Sequence, residues 1–125
     1  AKCYRQDGRD VYPITNFGGA FKRATGSDPF RLPDSWIAAQ GALDMGQPFD
    51  IATDNDIIGG NSGSPVINKA GEVVGLIFDG NIQSLGGDYG FDPVQNRAVA
   101  VAVGALRAAL AKVYHADRIV EELAR

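Results

Sequence analysis

Between residues 49 and 103 the apolar positions fall in short runs, separated by glycine, asparagine, aspartate and proline. FDIAT (49–53), SPVIN (64–68), EVVGLIFD (72–79) and RAVAVAV (97–103) are rich in β-branched and aromatic residues, which predicts strands. NKAG (68–71) joins the second and third as a hairpin turn, with Gly71 in the left-handed position. Alternation puts Val66 on one face of its strand, and Val74, Leu76 and Phe78 together on one face of the partner. Past residue 103 the period changes. GALRAALAKVY (104–114) sets Leu106, Leu110 and Val113 on one side of a helix, and Ile119, Val120 and Leu123 suggest a short final helix.

The first 48 residues carry a weaker pattern. VYPITNF (11–17) resembles the start of a strand, and Pro13 confines it to a sheet edge or a strand start. The stretch to Pro33 is rich in glycine, serine, aspartate and proline, so it is expected to be irregular, with one helical turn around residues 21–24. Asp34 or Ser35 can cap a short helix carrying Trp36, Ile37 and Leu43, which Gly46 and Pro48 end. A lone Trp36 on such a helix is expected to be core. The fold class is therefore mainly β with carboxyl-terminal helices. It is one domain in three stretches: 1–48 irregular with a short helix, 49–103 β, and 104–125 helical.

Composition narrows the function. At 125 residues, 45% hydrophobic and 22% charged, the chain suits one globular domain with a real core. A net charge of −3 supplies no basic footprint, so nucleic acid is not expected as a partner. No apolar run approaches the roughly 20 residues of a membrane span. The opening AKCYRQDGRD lacks an apolar signal core, and the chain reads as part of a longer one. Cys3 is the only cysteine and His115 the only histidine, so neither an internal disulfide nor a metal cluster is expected, and no cofactor is implied.

The stretch GGNSGSPV (59–66) carries the chemistry. A nucleophilic serine needs exposure on a tight turn, a base to take its proton, and donors for the oxyanion. Glycine at 60 lets the backbone turn so that the Gly60 and Ser62 amides can serve as those donors. Such donors are worth about 2.7–4 kcal/mol each. Pro65 can begin the following strand without losing an inner ladder bond. A glycine-rich loop between strands, with serines capping turns, accounts for the local pattern equally well.

GGNSGSPV is similar to the nucleophile loop of chymotrypsin-fold serine peptidases. The longer run TDNDIIGGNSGSPVINKAGEVVGLIFDGN resembles the bacterial dipeptidyl peptidase 7 and dipeptidyl peptidase 11 family. So do YPITNFGGAFKRATGSDPF upstream, FDPVQNRAVAVAV downstream and the closing HADRIVEEL. The resemblance implies that residues 49–103 are part of the second barrel of a double β-barrel. It implies that Ser62 is the acylating serine and that Gly60 and Ser62 supply the oxyanion amides. Asp79 in FDGN would hold the free amino terminus of the substrate. Gly80 would line the pocket for the residue before the scissile bond. Acid-preferring members carry arginine there, so glycine points to the branch that prefers apolar side chains.

The resemblance also implies peptide substrates with free amino termini, a homodimer, and a periplasmic or secreted location in a Gram-negative bacterium. The triad histidine and aspartate precede the serine in this fold, and no histidine precedes Ser62. His115 is expected at the surface beside a helix, and Asp54 and Asp56 in turns. The expectation is a carboxyl-terminal part of a larger peptidase, inactive alone. The alternatives are part of a glutamyl-endopeptidase-like or heat-shock-protease-like enzyme, against which FDGN and FDP argue, and a non-catalytic binding module.

Overall fold

The computed structural model describes residues 3–87 and 89–124. The chain opens on a small antiparallel hairpin of β1 (Tyr4–Gln6) and β2 (Arg9–Val11). Its turn is Asp7-Gly8, with φ of +50° and +76°, the pairing that matches the natural twist of two strands. The main sheet has five strands: β3 (Ile14–Asn16), β4 (Pro48–Thr53), β5 (Pro65–Ile67), β6 (Val73–Gly80) and β7 (Ala98–Ala102). Their order is β3-β4-β7-β6-β5, every neighbouring pair is antiparallel, and the arrangement is consistent with part of a β-barrel. The hairpin predicted across residues 68–71 is present, with Gly71 at φ +83°.

β7 lies at the centre of the sheet, and its small side chains explain how the core closes. Ala98 and Ala100 are completely buried, in a cluster with Ile77. Ala102 passes from the strand into a second cluster with Phe17, Leu43, Ala105, Ala109 and Val113. Helix α1 (Phe17–Arg23) supplies the completely buried Phe17. Trp36, from α2 (Asp34–Ala39), packs edge-on against Phe17 at 5.6 Å, while its indole N–H donates to the Tyr114 hydroxyl at 3.2 Å. Trp36 is thus a packing residue that ties the amino-terminal stretch to the end of α3 (Val103–Lys112). The short α4 (Asp117–Glu122) closes the described chain.

Three local expectations are corrected. Helix α1 begins at Phe17 rather than near Phe21, because the Asn16 side chain accepts from the Gly19 amide at 2.8 Å and Phe17 finds a fully buried site. Tertiary burial overrides the poor helix propensity of Gly18 and Gly19. The residue capping α2 is Pro33, with no side-chain cap from Asp34 or Ser35, and Leu43 lies beyond a 3₁₀ turn (Gln40–Ala42). On α3 the buried positions are Ala105 and Ala109, followed by Val113, while Leu106 and Leu110 are only half-buried. Alanine lets the helix backbone approach the sheet more closely than leucine would.

Strand β6 carries an irregularity that period alone does not show. Its register against β7 jumps between Ile77 and Asp79, leaving Phe78 as an extra residue. Such a bulge breaks the alternation of faces. Burial alternates as expected through Phe78, with Gly75 and Ile77 buried between the less buried Val74, Leu76 and Phe78, and the break falls at Asp79.

Candidate active site

The loop between β4 and β5 is built around Asn61. Its side-chain oxygen accepts from the Ile58 amide at 2.7 Å, and its carbonyl accepts from the Ser64 amide at 2.9 Å. Gly60 (φ +100°) and Gly63 (φ +87°) bracket Asn61 and Ser62 in backbone conformations that side chains rarely adopt. Ser62 consequently stands exposed on a tight turn, as the glycine spacing predicts. Among the described residues, no hydrogen bond engages the backbone amides of Gly60 or Ser62.

This turn forms one wall of a cleft of about 310 Å³. The end of β6 and a 3₁₀ turn (Ile82–Gly86) form the others. Ser62, Asp79 and Gly80 all line it, together with Ile57, Ser84 and Leu85. The bulge at Phe78 has a direct consequence here. Unbroken alternation would put Asp79 on the face of the buried Ile77, where an unpaired carboxylate is costly. Instead Asp79 is exposed, and one carboxylate oxygen accepts from the Gly80 amide at 2.8 Å. It is the one ionisable side chain lining the cleft among the described residues.

The structure brings Ser62, Gly60, Asp79 and Gly80 together and leaves the other candidates apart. His115 is exposed in the connection between α3 and α4, at φ +51°, and does not line the cleft. Asp54 and Asp56 lie in irregular backbone of the loop that follows β4, not in the turns expected for them, and line neither wall. Cys3 is free and exposed. Asp50, on β4, is the residue whose carboxyl is pushed above its ordinary range, by burial, with the Thr15 hydroxyl opposing at 2.9 Å. It belongs to the sheet rather than to the cleft. No group of three metal-ligating side chains occurs among the described residues, and none of their helices is long and apolar enough to cross a membrane.

Sequence reasoning missed two residues that shape the site: Asn81 and Ser84. Asn81 caps the 3₁₀ turn by accepting from the Ser84 amide. The Asn-x-x-Ser spacing in NIQS (81–84) was a legible cap signal. Ser84 carries no signal of its own, because only the folded turn lays it beside Gly80.

An exposed serine with two unengaged amides beside it, sharing a cleft with a carboxylate, suits acyl transfer on a substrate that carries a cation. Comparison with known proteins shows what the chain is similar to. The chain is 36% identical over 110 residues to dipeptidyl-peptidase 7 of Capnocytophaga gingivalis, covering 82% of this chain and 15% of that protein. It is 34% identical over 127 residues to dipeptidyl-peptidase 7 of Phocaeicola vulgatus, covering 94% and 18%. An Asp/Glu-specific dipeptidyl-peptidase of Shewanella putrefaciens is 31% identical over 141 residues, covering 89% and 19%. The chain therefore spans less than a fifth of the length of these relatives. The fold is shared with crystal structures of Porphyromonas endodontalis DPP11. In its complex with the dipeptide Arg-Asp the TM-score is 0.88 at 24% identity, covering 97% of this chain and 19% of that one. The model of the family described as peptidase S46 matches residues 1–125, and to that family of hydrolases this chain belongs.

Proposed function

We propose that these residues are the carboxyl-terminal part of a serine-type dipeptidyl peptidase, with Ser62 as nucleophile. The observation that carries this reading is the shared cleft. Ser62 lies on a glycine-bracketed turn, next to free amides of its own and of Gly60, and faces the same space as Asp79 and Gly80. In this mechanism the Ser62 oxygen attacks the scissile carbonyl carbon while a base takes its proton. The Gly60 and Ser62 amides stabilise the oxyanion. Collapse expels the remainder of the peptide as an amine, leaving the dipeptide esterified to Ser62, and water then releases it.

Asp79 supplies the anion that pairs with the substrate's free amino group, which restricts cleavage to the amino-terminal dipeptide. Gly80 brings no charge to the pocket for the residue before the scissile bond, which suits an uncharged, apolar side chain there. The base and its orienting carboxylate come from outside these 125 residues. That assignment is supported by the short span relative to the matched peptidases and by the position of His115 away from the cleft. The two-barrel chymotrypsin architecture, the homodimer, and a periplasmic or secreted location in a Gram-negative bacterium belong to the same proposal and rest on the family resemblance.

The test uses the full-length enzyme containing this segment, with dipeptidyl substrates and their amino-blocked counterparts. Hydrolysis of the free forms alone, abolished by Ser62→Ala, is the expected result. Equal cleavage of blocked and free substrates would instead indicate an endopeptidase, and no hydrolysis of either a binding module.

A further inference from the structure

We infer that Ser84, held in place by Asn81, sets the size of the pocket beside Gly80 and so selects the side chain that precedes the scissile bond. The inference rests on the proposed roles of Ser62 and Gly80. Its starting point is a steric fact about position 80. A Cβ placed on Gly80 would collide with the Ser84 hydroxyl oxygen, and would meet Ser84 Cβ and Ile57 Cδ1 at 3.3 Å each. The volume that a side chain at 80 would take is already filled by a residue four positions further on. Glycine at 80 is therefore dictated by its neighbour as well as by any substrate.

Ser84 cannot readily yield that space. Its hydroxyl donates to the Asn81 carbonyl at 2.6 Å, and its amide donates to the same carbonyl at 2.9 Å and to Asn81 Oδ1 at 3.2 Å. Asn81 is itself fixed to the start of β7. Its amide donates to the Arg97 carbonyl at 3.0 Å, and its Oδ1 accepts from the Arg97 amide at 2.9 Å. Its Nδ2 donates to the Gln95 carbonyl at 2.7 Å and to Gln83 Oε1 at 2.8 Å. Rotating Ser84 away would break the bond that orders the turn forming the pocket wall. Positions 80 and 84 act as one unit: a small hydroxyl beside a glycine, with Ile57 and Leu85 flanking them along the cleft.

The experiment measures kcat and KM for the full-length peptidase on free dipeptidyl substrates differing only in the residue before the scissile bond (Ala, Leu or Phe). Ser84→Gly enlarges the pocket and should raise the Phe-to-Ala ratio of kcat/KM by about tenfold or more, the discrimination a small change in an apolar pocket produces. Gly80→Ala should lower kcat/KM about tenfold on every substrate, and adding Ser84→Gly should recover most of that loss. The same rescue should appear in the thermal unfolding midpoint, a readout independent of turnover.

An unmoved Phe-to-Ala ratio in Ser84→Gly, or a double variant no better than the product of the singles, overturns the inference. If Gly80→Ala does not fold, the ratio in Ser84→Gly decides alone. A shifted ratio accompanied by equal cleavage of amino-blocked substrates would sink the dipeptidase reading and still support the role of Ser84. An unmoved ratio with strict dependence on a free amino terminus would sink the role of Ser84 alone.

Discussion

The Gly63 amide donates to the Ile77 carbonyl at 2.7 Å, which fastens the turn presenting Ser62 to the strand carrying Asp79. The bond is reinforced in the reverse direction, because the Ile77 amide donates to the Ser64 carbonyl at 2.9 Å. Ser62 is one residue from one end of this bridge, and Asp79 is two residues from the other. A serine and a carboxylate linked through so few backbone atoms keep a set separation, which the proposed counting of two residues from an amino terminus would require.

That separation makes Asp79 testable in the full-length enzyme. A hydrogen bond to a charged group contributes about 1.5–3 kcal/mol. Asp79→Ala is therefore expected to lower kcat/KM on free dipeptidyl substrates by about one to two decades. Amino-blocked substrates should be affected far less. Unchanged rates for Asp79→Ala would remove it from the amino-terminus site.

The loop conformation supplies a second prediction. Gly60 sits at φ +100°, and placing an L side chain in left-handed backbone costs about 1–2 kcal/mol per residue. Gly60→Ala should relieve that strain by rotating the peptide, turning its amide away from the oxyanion. The expected signature is a fall in kcat of about tenfold or more, towards the 10²–10³ that losing one oxyanion donor costs. KM should stay within about threefold, since such a donor acts mainly in the transition state. A raised KM with normal kcat would place Gly60 in substrate binding instead.

Asp50 should make stability depend on pH. Burial raises its carboxyl above the ordinary value of 3.8, so the folded protein keeps this proton to higher pH than the unfolded chain does. The native state then binds more protons between the two values, and stability declines as pH rises from about 3.8 through the raised folded value. Asp50→Asn should flatten that decline. Near neutral pH it should raise Tm by about 1–3 °C, a small gain because solvent screens a half-exposed group. Below about pH 3.8 the two proteins should converge. A Tm lowered by Asp50→Asn at neutral pH would show that the ionised carboxylate is stabilising.

The 125-residue chain on its own should hydrolyse no peptide. Even a complete serine peptidase stripped of a triad member keeps only about 10³–10⁴ over the uncatalysed rate. Light scattering should also detect self-association, because edge strand β5 and its neighbour expose Ile67 (61%) and Val73 (47%), and the 3₁₀ turn exposes Leu85 (79%). Ser62-dependent turnover by the chain alone would return attention to His115. A monodisperse monomer would mean that these surfaces need no cover.

Much of this molecule is determined by local rules that a sequence carries openly. The strands at 49–53, 64–68 and 72–79, the Gly71 turn and the helix after residue 103 follow from period and turn chemistry. The resemblance of GGNSGSPV and FDGN likewise led to Ser62 and Asp79. Tertiary structure decided the rest, where the outcome depends on residues distant in sequence. Phe17 starts a helix through two glycines because a buried aromatic site awaits it. Asp79 faces the cleft because a bulge at Phe78 cancels the period-two pattern that would have put it beside Ile77. The buried face of α3 is alanine rather than leucine because the small residues of β7 and α3 let helix and sheet come close. Ser84 reaches Gly80 only because Asn81 bonds at once to the turn that follows it and to Arg97, sixteen residues later and just before β7. Period describes what a segment prefers alone, whereas these placements are set by which groups must be satisfied together once the chain has closed on itself.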